Sequence, residues 1–396
     1  MDGTPTQPTP PRPLRQESEP ASDEITEVAP GIVRMQLPIP LPGLKHVNCY
    51  AMEDERGWTV VDPGLPGPLA FRALRRRIHQ AGFRVRDIHS VVVTHSHPDH
   101  FGGAGRLREA AGADVVTADN FSVWWDADDT DDVSLADADR PASDELDLDG
   151  EATQLGAHPH AHEHAAAHPL GAGDPDGDPD EDRGGVVDGE TPWGGKRPRP
   201  PMTFRAAIAV SRPFRRRLFP APRPSVRLED AQTIRLGRRE WVAVHTPGHT
   251  LDHLCLYDPE HQVLLSGDHV LPTITPHIPG MDAGPDPLAS FVASLDKVAA
   301  LPGVRHVLPA HGHPFTDLPD RVDAIRRHHD ERLDRLRQHL ADLGEGTVGE
   351  LSRRLFRPKA WGPMAESETY AHLEHLRLAG HATRHPRRGT VVYTLN

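Results

Sequence analysis

The run Thr94 to His100, reading THSHPDH, narrows most sharply what this chain can fold into. His95, His97, Asp99 and His100 put four metal-ligating side chains within six residues. Burying so many imidazole and carboxylate groups without partners costs too much for the run to be packing alone. The apolar, β-branched stretch Ile88 to Val93 just before it reads as a buried strand. The histidines therefore begin at a strand end. A tight turn there aims His95 and His97 at one ion and leaves Asp99 and His100 for a second, about 3.5–4 Å away.

Two coordination shells need more donors than one turn supplies. His249 in HTPGHT, Asp268 in LSGDH and His311 in PAHGH each follow a strand-like run and sit beside glycine. Glycine lets backbone pack closely there while the ligand points outward. Every member of this set is a nitrogen or oxygen donor, suited to zinc, iron or manganese. Among the other histidines, His46, His79, His89, His261, His277, His306, His328 and His329 receive no role. His269 and His313 adjoin proposed ligands and are expected beside the site, not in it.

Taken in order, HSHPDH, TPGHT, SGDH and AHG resemble the metallo-β-lactamase superfamily over roughly residues 27–320. The resemblance implies an α/β fold, a four-layer αβ/βα sandwich with metals at one edge between two sheets, ending in a small winged-helix domain. Carried over position by position, it implies that His95, His97 and His249 bind one divalent cation and Asp99, His100 and His311 a second, with Asp268 bridging. Zinc is the first expectation, iron and manganese the alternatives.

Two such cations would lower the pKa of a shared water toward neutrality, and Asp99, the expected catalytic residue, would orient the resulting hydroxide. The function expected is hydrolysis of an ester, thioester or lactone of a small anionic substrate. A metal-dependent endoribonuclease or phosphodiesterase, with RNA as partner, is the alternative, and a non-catalytic winged-helix regulator the third reading. Two departures narrow the family. One large group of antibiotic-hydrolysing members has cysteine where this chain has Asp268, and the 42 residues between Asp268 and His311 leave no room for the domain that RNA-processing members insert.

The remaining texture sets the organisation. Residues 1–25 are Pro-rich, lack apolar periodicity and read as a disordered tail. A catalytic domain spans 26–325. Within it, 126–195 reads as a disordered acidic insertion: Asp126 to Glu190 holds 21 acidic residues against Arg140 and Arg183, so this segment carries the chain's net charge of −14. Five histidines from His158 to His168 make it His-rich, with incidental metal affinity. The basic stretch that follows includes Arg215, Arg216 and Arg217, suited to anionic groups.

Helices are predicted over Leu69–Ala81, from Phe101 and over Pro287–Ala299, and one long charged helix from Arg321. Residues 326–396 read as a separate winged-helix domain. Glu366, Glu368 and Glu374 turn its second helix away from phosphate and toward packing or a homodimer contact, while Arg384, Arg387 and Arg388 keep RNA open. With only Cys49 and Cys255 there is no disulfide framework, and no apolar run spans a bilayer, so the expectation is a cytoplasmic protein without membrane contact.

Overall fold

The structure is a computed structural model that describes residues 15–41, 43–123, 191–194, 218–281 and 283–396. The acidic His-rich segment up to 190 and Arg215–Arg217 lie outside the described residues.

Alternation along the strands decides the layering. In β5 (Ile88–Val92), Val91 and Val92 face opposite sides of the sheet and join different cores. In β10 (Leu254–Asp258), Leu254 and Leu256 go one way, Cys255 and Tyr257 the other. Both strands are apolar on both faces, so each sheet needs cover on both sides.

The first sheet has seven strands in chain order: β1 (Thr26–Ala29), β2 (Ile32–Pro38), β3 (His46–Asp54), β4 (Gly57–Val61), β5, β6 (Asp114–Ala118) and β7 (Val226–Leu228). The second runs β12 (His306–Pro309), β11 (Val263–Gly267), β10, β9 (Arg239–His245) and β8 (Thr233–Leu236). Ile32, Tyr50, Val92 and Val116 of one sheet meet Trp241, Leu256 and Leu265 of the other in an inter-sheet core. Leu74 and Ile78 of α1 (Pro68–Gln80) and Leu107 of α3 (Ala104–Ala111) cover the first sheet, while Leu288, Phe291 and Leu295 of α4 (Pro287–Ala299) cover the second. Helix, sheet, sheet and helix make four layers.

The helix predicted from Phe101 begins at Ala104 as α3, and a separate short helix, α2 (Pro98–Phe101), ends where it was expected to start. Gly102 between them lies so close to the Leu65–Pro66 backbone that a Cβ would sit 2.1 Å from the Pro66 nitrogen. That contact fixes the turn carrying Asp99 and His100.

Residues 15–25, which composition assigns to a disordered tail, are held against the rest of the fold. Glu17, in a 3₁₀ turn at Gln16–Ser18, is fully buried, and its carboxylate accepts from the backbone N–H groups of Thr273 (3.0 Å) and Ile274 (3.1 Å). One such buried anchor offsets the entropy that the surrounding sequence cannot.

The C-terminal residues form α5 (Leu318–Leu343), β13 (Gly346–Thr347), α6 (Val348–Leu355), α7 (Pro363–Leu378), β14 (Ala382–Arg387) and β15 (Thr390–Leu395). Leu336, Leu340, Leu351, Leu373 and Tyr393 belong to the same core as Phe291 and Tyr257. These elements thus share the outer core of the second sheet and do not enclose a separate one. Glu368 and Glu374 of α7 are buried in intrachain packing, because Arg332 pairs with the first and Arg377, Arg384 and the Tyr393 hydroxyl with the second.

Candidate metal centre

β9 and β10 are antiparallel, as are β10 and β11, whereas β11 and β12 run parallel. The C-terminal ends of β9, β11 and β12 therefore share one edge. His249 follows β9, Asp268 directly follows β11 and His311 follows β12. The Leu254 N–H donates to the Thr94 carbonyl (2.8 Å), tying the turn after β5 to that same edge. Gly267 permits it: φ is +50°, and a Cβ would fall 2.6 Å from His253 Nε2.

The seven side chains converge as two groups, His95, His97, His249 and Asp268 in one and Asp99, His100 and His311 in the other. His97 Nδ1 lies 3.0 Å from His95 Nε2 and 3.1 Å from His249 Nε2. Asp99 Oδ2 is 3.6 Å from both His100 Nε2 and His311 Nε2. Asp268 faces both groups: Oδ2 is 3.6 Å from His249 Nε2 and 3.7 Å from His100 Nε2, and Oδ1 is 3.3 Å from His311 Nε2. His95, His100 and His311 are wholly buried, while His97 and Asp99 are partly exposed and mark the open side.

The partners behind the histidines fix where their lone pairs point. Nδ1 of His249 is 2.8 Å from the His277 carbonyl and Nδ1 of His311 is 2.7 Å from the His46 carbonyl. A carbonyl only accepts, so each Nδ1 carries the proton and each Nε2 offers a lone pair to the centre. His100 Nδ1 donates to Asp62 Oδ2 (2.9 Å), and Asp62 also accepts from the Thr94 N–H and hydroxyl. His253 Nε2 accepts from the Asp268 N–H (3.0 Å) and so sets the bridging carboxylate's backbone. Asp62, His253 and the carbonyls of His46 and His277 are supports that sequence reasoning missed.

The electrostatics suit cations. Burial, then the neighbouring His100 and His97, push His95 well below the ordinary imidazole range, and burial, then His249 and His100, do the same to His97. Both stay neutral. Burial disfavours charge on Asp268, but His311 and His100 outweigh it and hold the carboxyl well below its usual range. Burial likewise opposes a charge on His100, yet Asp99, Asp268 and Asp62 raise it to about 10. Carboxylates that favour a proton there favour a metal cation in its place for the same reason.

The donor set fits metal ions on a second ground. His100 Nε2, His311 Nε2 and Asp268 Oδ1 are buried atoms without an aligned hydrogen bond, which costs stability unless something else satisfies them. No thiolate competes, since Cys49 and Cys255 are buried in the cores.

His269 lies 4.9 Å from the Phe291 ring, in the helical layer, outside both groups. His313 bridges Glu19 (2.8 Å) and Arg34 (3.2 Å). No helix among the described residues is long and apolar enough to cross a membrane.

Residues 42–311, which include all seven of these side chains, match the family model described as Metallo-beta-lactamase superfamily. A metallo-beta-lactamase family protein from Thermus thermophilus superposes with a TM-score of 0.66 at 26% identity, covering 93% of this chain and 100% of that one. An acyl-coenzyme A thioesterase (MBLAC2) of Gallus gallus is 34% identical over 124 residues, 29% of this chain and 43% of that one. A hydroxyacylglutathione hydrolase of Albidiferax ferrireducens is 41% identical over 81 residues, 20% of this chain and 28% of its own. The chain spans less than half the length of the curated relatives it matches.

Proposed function

The chain belongs to the metallo-β-lactamase superfamily, and from that premise we propose that it is a dinuclear metal-dependent hydrolase of a small anionic ester or thioester, with zinc as the metal. The observation that carries this reading is the pair of ligand groups with Asp268 facing both. His95, His97 and His249 would hold one cation, Asp99, His100 and His311 the other, and Asp268 would be shared. When bound, such a pair supplies Lewis acidity and makes water acidic enough to attack near pH 7.

The protein's own groups do the rest. Asp62 and the carbonyls of His46 and His277 keep three imidazoles in the tautomer that points Nε2 inward. The buried walls at His95, His100 and His311 keep bulk water from the closed side. Asp99, with 13% of its side chain accessible, stands where substrate and attacking water enter, and its carboxylate orients that water and takes up its proton.

A thioester is favoured because two relatives carry names that denote acyl-thiol hydrolysis, the acyl-coenzyme A thioesterase and the hydroxyacylglutathione hydrolase. An RNA substrate has less to stand on. Arg384 is taken up by Glu374, and Arg387 pairs with Glu345.

The test is a panel on metal-loaded protein: an acyl-coenzyme A, an acyl-glutathione, a lactone, a phosphodiester and single-stranded RNA. Turnover is expected on at least one acyl thiol and not on RNA. Full metal loading with no ester or thioester cleavage would overturn the assignment.

A further inference from the structure

The loop between Asp268 and α4 supplies the His277 carbonyl that orients His249, yet among its described residues between Val270 and Asp286 there is no regular secondary structure to stiffen it. Contacts from distant parts of the chain fix it instead. Glu17 accepts from Thr273 and Ile274. Arg321 of α5 donates to the carbonyls of Leu271 and Ile274, each at 2.5 Å.

The segment carrying His277 is held from α7. Its ring Nδ1 lies 3.3 Å from Glu368 Oε2, and three residues on the Gly280 N–H donates to Ser367 Oγ at 2.9 Å. The fit at Gly280 is close enough that a Cβ would sit 2.5 Å from the Ser367 carbonyl oxygen. Glu368 is itself buried and anchored by Arg332 of α5, whose guanidinium stacks on Phe356 at 4.6 Å. A buried carboxylate facing a charged arginine and an imidazole is costly to assemble and hard to displace. Burial disfavours its charge, but the bond from His277 and the charge of Arg332 outweigh this and draw its pKa down to about 2.

We infer that Glu368 is a positioning residue for the metal ligand His249, acting through His277 so that the C-terminal helix fixes one wall of the metal centre. The inference rests on the dinuclear reading above. The line of contacts runs Arg332, Glu368, the His277 ring, the His277 carbonyl and His249 Nδ1, and it joins a residue near the chain's end to the site nearly 120 positions upstream. Removing the Glu368 carboxylate frees the His277 ring, lets the 271–280 segment shift, and loosens the acceptor that holds His249 in its ligating tautomer. Groups that orient metal-bound histidines from behind are worth about 10–100-fold in metal affinity.

The experiment uses full-length wild type, Glu368→Gln, Glu368→Ala and Ser367→Ala, stripped of metal and titrated with zinc against a chromophoric chelator, and with cobalt(II) to record the visible spectrum. Glu368→Ala is expected to hold one of its two cations about 10–100-fold more weakly. Its cobalt spectrum should be altered, and its metal-free melting should fall as well, because Arg332 loses the carboxylate it faces, so the spectrum and the metal affinity of the folded protein are the deciding readouts. Glu368→Gln, which keeps an acceptor for His277, should fall between. Ser367→Ala should move in the same direction by less, and it carries the test should Glu368→Ala fail to fold. Unchanged affinity and spectrum in folded Glu368→Ala, or in Ser367→Ala should it be the variant left to judge, overturn the inference while wild type still binds two cations. Wild type that binds none overturns the dinuclear reading as well.

Discussion

Asp268→Asn is expected to leave a folded protein that no longer retains two cations and, under the proposed function, hydrolyses a thioester at least about 10³-fold more slowly. Among the described residues, Asp268 is the one whose carboxylate comes within 3.3–3.7 Å of ligand nitrogens in both groups, His311 on one oxygen and His249 and His100 on the other. An amide of the same shape keeps the packing but cannot offer anionic oxygens to two cations at once. Losing several kcal/mol of transition-state stabilisation corresponds to that rate, at about 1.4 kcal/mol per tenfold. Metal content by mass spectrometry, alongside kcat/KM, decides the point. Near-normal loading and turnover would show that Asp268 bridges nothing.

Asp99→Asn should separate proton transfer from ligation. Asp99 is more open than His100 or His311, yet its Oδ2 lies 3.6 Å from the Nε2 of each. An asparagine can still present an oxygen toward a cation but cannot take a proton from water. The expected result is a fall in kcat of about 10²–10⁴-fold, with KM little changed and most metal retained. Loss of one cation together with activity would reduce Asp99 to a ligand alone.

The site is more legible in the sequence than its supports are, for a physical reason. Metal ligation demands particular side chains at strand ends, and THSHPDH, HTPGHT, LSGDH and PAHGH display those side chains beside strand-like runs and glycine. α4 is legible over its whole length, since Pro287 occupies the first turn and the Asp286 side chain caps it by accepting from the Ala289 N–H at 2.9 Å.

Asp62, His253, Glu17 and Glu368 carry no comparable signal. Each is defined by what it meets in space, 32 residues away for Asp62 and Thr94, 256 for Glu17 and Thr273. Local composition even misleads. Glu17 sits in a polar Pro-rich stretch and is buried, while Glu368 and Glu374, which pointed only to packing or a homodimer contact, are enclosed by Arg332, Arg377 and Arg384. The C-terminal elements look separable because their helical pattern contrasts with the strands before them, yet Leu336, Leu373 and Tyr393 complete a core begun by Phe291.

An anomalous difference map from crystals grown with zinc, recorded at the zinc edge, tests the proposed dinuclear centre most directly. Two peaks are expected about 3.5–4 Å apart, one among His95, His97 and His249, the other among Asp99, His100 and His311, with the Asp268 carboxylate between them. A single peak, or a pair that leaves His249 or His311 without a bond to metal, would contradict it.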